Sequence, residues 1–129
     1  VREAIGARGY SPPERDAFYR ALGELALLVE RQGVIVLVAA TAAKRAYRDA
    51  VRARAEQFLE VYVRASQADR EARDIKGLYA RARAGDAPEL PGAGATYEPP
   101  VSPELVAHGG LDEICAATLV ERITDAAPA

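Results

Sequence analysis

Seven consecutive apolar residues, Val34-Ile35-Val36-Leu37-Val38-Ala39-Ala40, constrain the fold more than any other feature of the chain. The run is rich in β-branched side chains and does not alternate with polar ones. It reads as a strand covered on both faces, the pattern of a parallel sheet. Residues 43–56 follow with Ala46, Ala50, Ala53 and Ala55 among arginines, which reads as a helix. Phe58-Leu59-Glu60-Val61-Tyr62-Val63 then reads as a second strand. Strand, helix and strand at this spacing make a βαβ unit, with parallel strands and a right-handed crossover.

The flanking segments fit the same class. Ser11-Pro12-Pro13-Glu14 has the signature of a helix start: a capping serine, proline in the first turn, and a glutamate three residues on. Phe18, Leu22, Leu25 and Val29 give the next stretch one apolar face, and Gly33 stands where the helix ends. Ser66-Gln67-Ala68-Asp69 opens a short helix, and 76–84 forms another that stops at Gly85. Residues 86–103 hold five prolines, with glycines at 92 and 94, and read as a long functional loop. Glu104 to Ala107 reads as a last short strand. Leu111 to Ile123 reads as a closing helix with Ile114, Leu119 and Ile123 on its buried side. The expectation is a single α/β domain over residues 1–129, a mostly parallel sheet with flanking helices. Ligands then belong at the carboxyl ends of the strands, after Ala40 and after Val63, beside the proline-rich loop.

Composition removes several alternatives. The chain has 129 residues, half of them apolar and 28% charged, enough for one core and too ordered for a disordered tail. No run approaches the ~18 apolar residues of a membrane span. A net charge of −2 argues against a nucleic-acid binder, and one cysteine excludes a disulfide framework or a cysteine-based metal site. No stretch reads as a signal peptide, so the cytoplasm is the expected compartment. There is no methionine, which leaves open a trimmed chain or part of a longer product. Fifteen arginines accompany only two lysines, which singles out Lys44 and Lys76.

From the residues alone, no catalytic constellation is complete. The one histidine, His108, sits beside Gly109-Gly110 and reads as a loop residue. Cys115 falls in a helical pattern and reads as an inert thiol. The arginines of 45–54 are able to grip phosphate, but such a helix face is more often simply solvated.

The stretch Ala72-Arg73-Asp74-Ile75-Lys76-Gly77-Leu78-Tyr79, its basic continuation to Gly85, then Leu90-Pro91-Gly92 and Tyr97-Glu98-Pro99-Pro100 add more. Together they closely resemble the lid region of adenylylsulfate (APS) kinases. Val1-Arg2, Gly9-Tyr10-Ser11, Arg15, Arg45 and Arg48-Asp49 extend the resemblance over almost the whole chain. It implies the last two-thirds of a P-loop nucleotide kinase, a phosphotransferase of sulfate assimilation that moves the γ-phosphoryl of ATP to the 3′-hydroxyl of APS with Mg²⁺. In that frame Tyr10 stacks on the APS adenine, and Arg2 and Arg15 hold the phosphosulfate. Lys76, Gly77 and Leu78 contact APS beneath a lid formed by 86–103, and Arg73 lies against the ATP adenine. Flat π-faces suit purines, and guanidinium or ammonium donors suit phosphoryl oxygens.

Several positions depart from the family. Leu90 replaces a second adenine-stacking phenylalanine, and Phe18 replaces an asparagine that faces substrate. Ala42-Ala43-Lys44 replaces Ser-Pro-Tyr, with Thr41 nearby as a substitute hydroxyl. The motif G-x-x-x-x-G-K-[ST] does not occur; Gly6, Gly9, Gly92 and Gly94 lack its spacing. The catalytic groups and a metal site are therefore unassigned, and neither ATP nor Mg²⁺ is expected to bind well to this chain alone. The partner that would complete it is an N-terminal segment or a second copy. Two other readings stand beside the kinase: a remnant that binds a nucleotide or a protein without catalysis, and a related kinase with another hydroxyl acceptor. If the chain folds alone, hydrogen-bond accounting expects 34–40 and 58–63 to pair directly, ~4.8 Å apart.

Overall fold

The computed structural model describes residues 11–66, 96–109 and 112–126. Its elements in chain order are α1 (Pro12–Glu30), α2 (Arg45–Arg52), β1 (Val61–Val63), β2 (Leu105–Ala107) and α3 (Glu113–Ala126). The chain divides into two compact units, Val1–Phe58 with Leu78–Pro99, and Leu59–Gly77 with Pro100–Ala129. The α/β class and the parallel pairing hold. Of the segments expected as helices, 67–69 and 76–84 lie outside the described residues, and Ser66 is not helical.

The first unit is built on α1 and α2. Ser11 opens α1, and the Glu14 carboxylate accepts its N–H at 3.2 Å and its hydroxyl at 2.5 Å. Gly33 closes the turn after α1 at φ +73°, a conformation that suits glycine, and its N–H donates to Glu30 O at 2.8 Å. Of the expected apolar face of α1, Phe18, Leu22 and Val29 are half-buried and only Leu25 is exposed, while the most buried positions lie beside it. Gly23 and Leu27 are buried, whereas Leu25 is 44% exposed. The cause is α2: at Gly23 a Cβ would come within 2.9 Å of Val51 Cγ2, so the helices touch there and the face rotates towards 23 and 27. α2 itself is shorter than the expected 43–56.

The second unit holds the sheet. β1 and β2 pair in parallel, with Val61 opposite Leu105, Tyr62 opposite Val106 and Val63 opposite Ala107. The Glu104 carboxylate extends the ladder by accepting the Glu60 N–H at 2.6 Å. Asp112 precedes α3, and its carboxylate accepts the N–H groups of His108 and Cys115, each at 2.9 Å. These N–H donors, His108 foremost, lower the Asp112 pKa. Leu119 and Ile123 are half-buried, but Ile114 is 82% exposed. Five residues separate Ile114 from Leu119, about 140° around a helix, whereas four separate Leu119 from Ile123.

The expected βαβ unit is corrected. Residues 34–40 form no strand, and β1 takes its ladder from β2 alone among the described residues. Direct pairing of 34–40 with 58–63 does not occur. The hydrogen-bond accounting behind it assumed burial, but the run is open to water, with Leu37 78% exposed. Solvent can satisfy its backbone, so the penalty for leaving it unpaired disappears.

Candidate functional site

The turn that follows Ala40 is fixed by a polar network between α1 and α2. Asp16 and Tyr19 lie three apart on α1; Lys44 and Tyr47 lie three apart at the start of α2, so each pair shares a helix face. Tyr19 and Tyr47 stack with centroids 4.5 Å apart and planes at 21°, and Phe18 meets Tyr19 edge-on at 5.1 Å. The Tyr47 hydroxyl donates to Asp16 Oδ1, and Lys44 Nζ donates to the same oxygen at 2.6 Å. Lys44 also lies 5.4 Å from the Tyr47 ring centroid. The hydrogen bond from Lys44, and then that from Tyr47, lowers the Asp16 pKa. The same contact with Asp16 raises Lys44, and burial, then Asp16, raises Tyr47. These contacts favour the charged forms of both the carboxylate and the ammonium group.

Ala42 is the conformational centre of the turn. Its φ is +38°, the one positive φ among described non-glycine residues. The strain is held from three sides. Its N–H donates to the Tyr19 hydroxyl at 3.0 Å, and its carbonyl accepts Arg48 Nη1 at 2.5 Å. The neighbouring Ala43 carbonyl accepts the Glu98 N–H at 2.8 Å.

Glu98 ties the segment from 96 to 100 to the same place. Its carboxylate accepts the Arg45 N–H at 2.7 Å, an N-terminal cap for α2 supplied from 53 residues away. Its carbonyl accepts Arg48 Nη2 at 2.7 Å, and Arg48 lies 5.6 Å from the Tyr97 ring centroid. Arg45, Arg48, Tyr97 and Glu98, widely separated in sequence, thus meet in one cluster. The arginines of 45–54 are neither a free phosphate grip nor an idle face. Arg48 ties loops together, Arg52 covers Phe58 at 4.7 Å, and Arg54 makes a bidentate pair with Glu24.

The chain-derived site residues fare unevenly. Arg15 lies half-buried in the first turn of α1, its N–H donating to Ser11 O at 2.9 Å. Arg2, Tyr10, Arg73, Lys76, Gly77, Leu78 and Leu90 lie outside the described residues. So does the first part of the 86–103 loop. Thr41 is exposed beside the strained Ala42. His108 is an exposed loop residue and Cys115 a half-buried free thiol. Asp16, Tyr19, Tyr47 and the anchoring role of Glu98 were not anticipated, although the three-residue spacings on two adjacent helices were there to be paired.

The sequence profile described as "Adenylylsulphate kinase" matches residues 2–108. The chain belongs to this family. It is 41% identical over 117 residues to an adenylyl-sulfate kinase of Acaryochloris marina, covering 88% of this chain and 57% of the relative. A probable adenylyl-sulfate kinase of Halalkalibacterium halodurans is 40% identical over 126 residues, 95% of this chain and 61% of its own length. An adenylyl-sulfate kinase of Synechococcus is 45% identical over 98 residues, 76% and 56% of the respective chains. The chain therefore spans about three-fifths of the adenylylsulphate kinases it matches. The cluster around Ala42 lies inside the matched segment. No helix among the described residues is long and apolar enough to cross a membrane.

Proposed function

We propose that the chain carries the acceptor side of an ATP-dependent adenylylsulfate kinase, which phosphorylates the 3′-hydroxyl of adenosine 5′-phosphosulfate to give PAPS. The observation that carries this reading is the family match over residues 2–108, a range that includes the Lys76-Gly77-Leu78-Tyr79 and Tyr97-Glu98-Pro99-Pro100 motifs. The cluster of Arg45, Arg48 and Glu98 supports it, because it joins two separate stretches of the resemblance. Tyr10 stacks on the acceptor adenine, Arg2 and Arg15 hold its phosphosulfate, and Lys76, Gly77, Leu78 and Leu90 contact it from above. Arg73 meets the ATP base. Residues 1–129 act as one domain with 86–103 as its lid, and the protein works in the cytoplasm.

The residues present do not fit Mg²⁺ and ATP by themselves. The phosphate-binding motif that would hold the ATP phosphates and place the metal does not occur in the sequence. The 129-residue chain alone is therefore inactive, and an N-terminal phosphate-binding segment or a second chain completes the site.

The test is PAPS formation from ATP, Mg²⁺ and APS. The purified 129-residue chain should give none above a no-enzyme control; product there overturns the inactivity. A longer chain with a phosphate-binding loop ahead of Val1 should form PAPS, and failure to do so overturns the kinase reading. In that longer chain Tyr10→Ala should weaken APS by ~1–3 kcal/mol, the usual worth of a base stacked on an aromatic ring, and affect ATP less. Equal losses for both nucleotides return Tyr10 to a packing role.

A further inference from the structure

Given the reading of Arg15 as a phosphosulfate contact, on which this rests, we propose that Asp16, Lys44 and Tyr47 are positioning residues for the acceptor. They hold the first turn of α1, and with it Arg15, against the start of α2. The first turn of a helix is its weakest, because its N–H groups lack partners within the helix. In α1 that turn is held twice. The Glu14 carboxylate closes it from within, accepting the Ser11 N–H and hydroxyl. Asp16 fixes it from outside, since its Oδ1 accepts Lys44 Nζ at 2.6 Å and the Tyr47 hydroxyl. One turn on, the Tyr19 ring stacks on that of Tyr47, and its hydroxyl accepts the Ala42 N–H at 3.0 Å.

Helix geometry makes Arg15 the side chain that these contacts control. Arg15 stands about 40° from Tyr19 around α1 and about 100° from Asp16. It therefore borders the face that meets Lys44 and Tyr47, and it is half-buried. Any shift of that turn carries the guanidinium with it, and a forked grip on an anion depends on direction. Lys44 has a second effect. It sits on the Asp16 carboxylate, so an anion approaching Arg15 meets a paired charge and not a bare carboxylate one residue away. A second ion pair, Glu24 with Arg54, joins α1 to the end of α2, with Nη2 donating at 2.8 Å. Glu24 and Arg54 are 55% and 46% exposed, against 41% for Asp16 and 48% for Lys44, so the two pairs are alike in their worth to stability. Glu24 lies two turns further along α1, ~12 Å from Asp16.

Steady-state kinetics of PAPS formation by the longer chain, with a phosphate-binding loop ahead of Val1, make the test. Asp16→Ala and Lys44→Ala should each raise KM for APS by ~5–10-fold, with KM for ATP and kcat changed less than about twofold. Asp16→Asn keeps an acceptor for Tyr47 and should fall between Asp16→Ala and the original; it carries the test should the alanine variant fail to fold. Glu24→Ala should lose as much melting temperature and leave both KM values unchanged. Arg15→Ala should raise KM for APS at least as much as Asp16→Ala. An unchanged KM in Arg15→Ala overturns the reading of Arg15 and the positioning with it. A raised KM there, with none in Asp16→Ala or Lys44→Ala, overturns the positioning alone. So does a fall in kcat without a change in KM, or a Glu24→Ala variant that behaves like Asp16→Ala. If the longer chain forms no PAPS, the kinase reading falls and the positioning with it.

Discussion

Residues 34–40 and 58–63 carry the same message in sequence, two short runs dominated by valine, isoleucine, leucine and aromatics, yet only the second contributes a strand. β1 finds Leu105–Ala107 alongside it, and the ladder continues at both ends, through Leu105 N–H to Glu60 O at 3.2 Å and Arg64 N–H to Ala107 O at 2.7 Å. The first run, with more β-branched residues, meets no such partner among the described residues and stays open. An apolar β-branched run states a capacity for pairing; a backbone partner decides whether it becomes a strand.

Proline substitution separates the two runs most sharply. Leu105→Pro removes the N–H that meets Glu60 O and should destabilise the second unit by about 2–3 kcal/mol. Leu37→Pro removes no bonded N–H, so in dilute solution it should change stability by less than about 0.5 kcal/mol. Denaturant melts of both variants make the check, and equal losses would mean that 34–40 is paired after all.

This contrast also marks what the sequence could reveal. The α1 start at Ser11, its stop at Gly33, the short strand ending at Ala107 and the final helix were legible, because caps, glycine and short-range periodicity act locally. The partner of β1 was not, because it lies 44 residues away and periodicity carries no information on pairing. The lid motifs named the family, yet the Glu98 cap on α2 was invisible, since a cap is normally sought within a turn of the helix it closes. Arg48 was read from its motif, but its two carbonyl partners depend on how the chain returns to α2.

The end of the 34–40 run can be loosened without touching β1. Arg48→Ala leaves the carbonyls of Ala42 and Glu98 without their guanidinium donor and should cost about 1–2 kcal/mol. Amide exchange at 45–49 should quicken while 61–63 stays unchanged. A parallel rise at 61–63 would show that the two runs are coupled.

A smaller effect of opposite sign is expected one residue beyond the run. Ala42→Gly keeps both backbone hydrogen bonds and relieves a φ of +38°. The gain from removing the Cβ conflict is partly offset by glycine's greater freedom in the unfolded chain. A net stabilisation of less than about 1 kcal/mol should appear in the melting midpoint, and a loss would mean that the methyl group packs usefully.

The smallest effect is electrostatic and belongs to the network that fixes the same end. Asp16 is held below its ordinary pKa by Lys44 and then Tyr47, while its side chain is 41% exposed and that of Lys44 48%. A carboxylate with a lowered folded pKa adds stability above its unfolded value, and the contribution fades as pH falls through the folded value. Lys44 is raised, so its contribution is complete below its ordinary pKa and is lost only as strongly alkaline pH passes the folded value. The pair is therefore intact at neutral pH and weakens in acid. Asp16→Asn keeps an acceptor for Tyr47 and removes the charge. Its melting temperature should lie below that of the original chain at pH 7, and the difference should shrink as pH drops below ~4, the ordinary aspartate value. Added salt should shrink the difference at pH 7 as well, because both partners are open to screening. A difference that persists unchanged in acid and in salt would show that Asp16 acts through its shape and hydrogen bonds alone, and that the turn at Ala42 is held without help from charge.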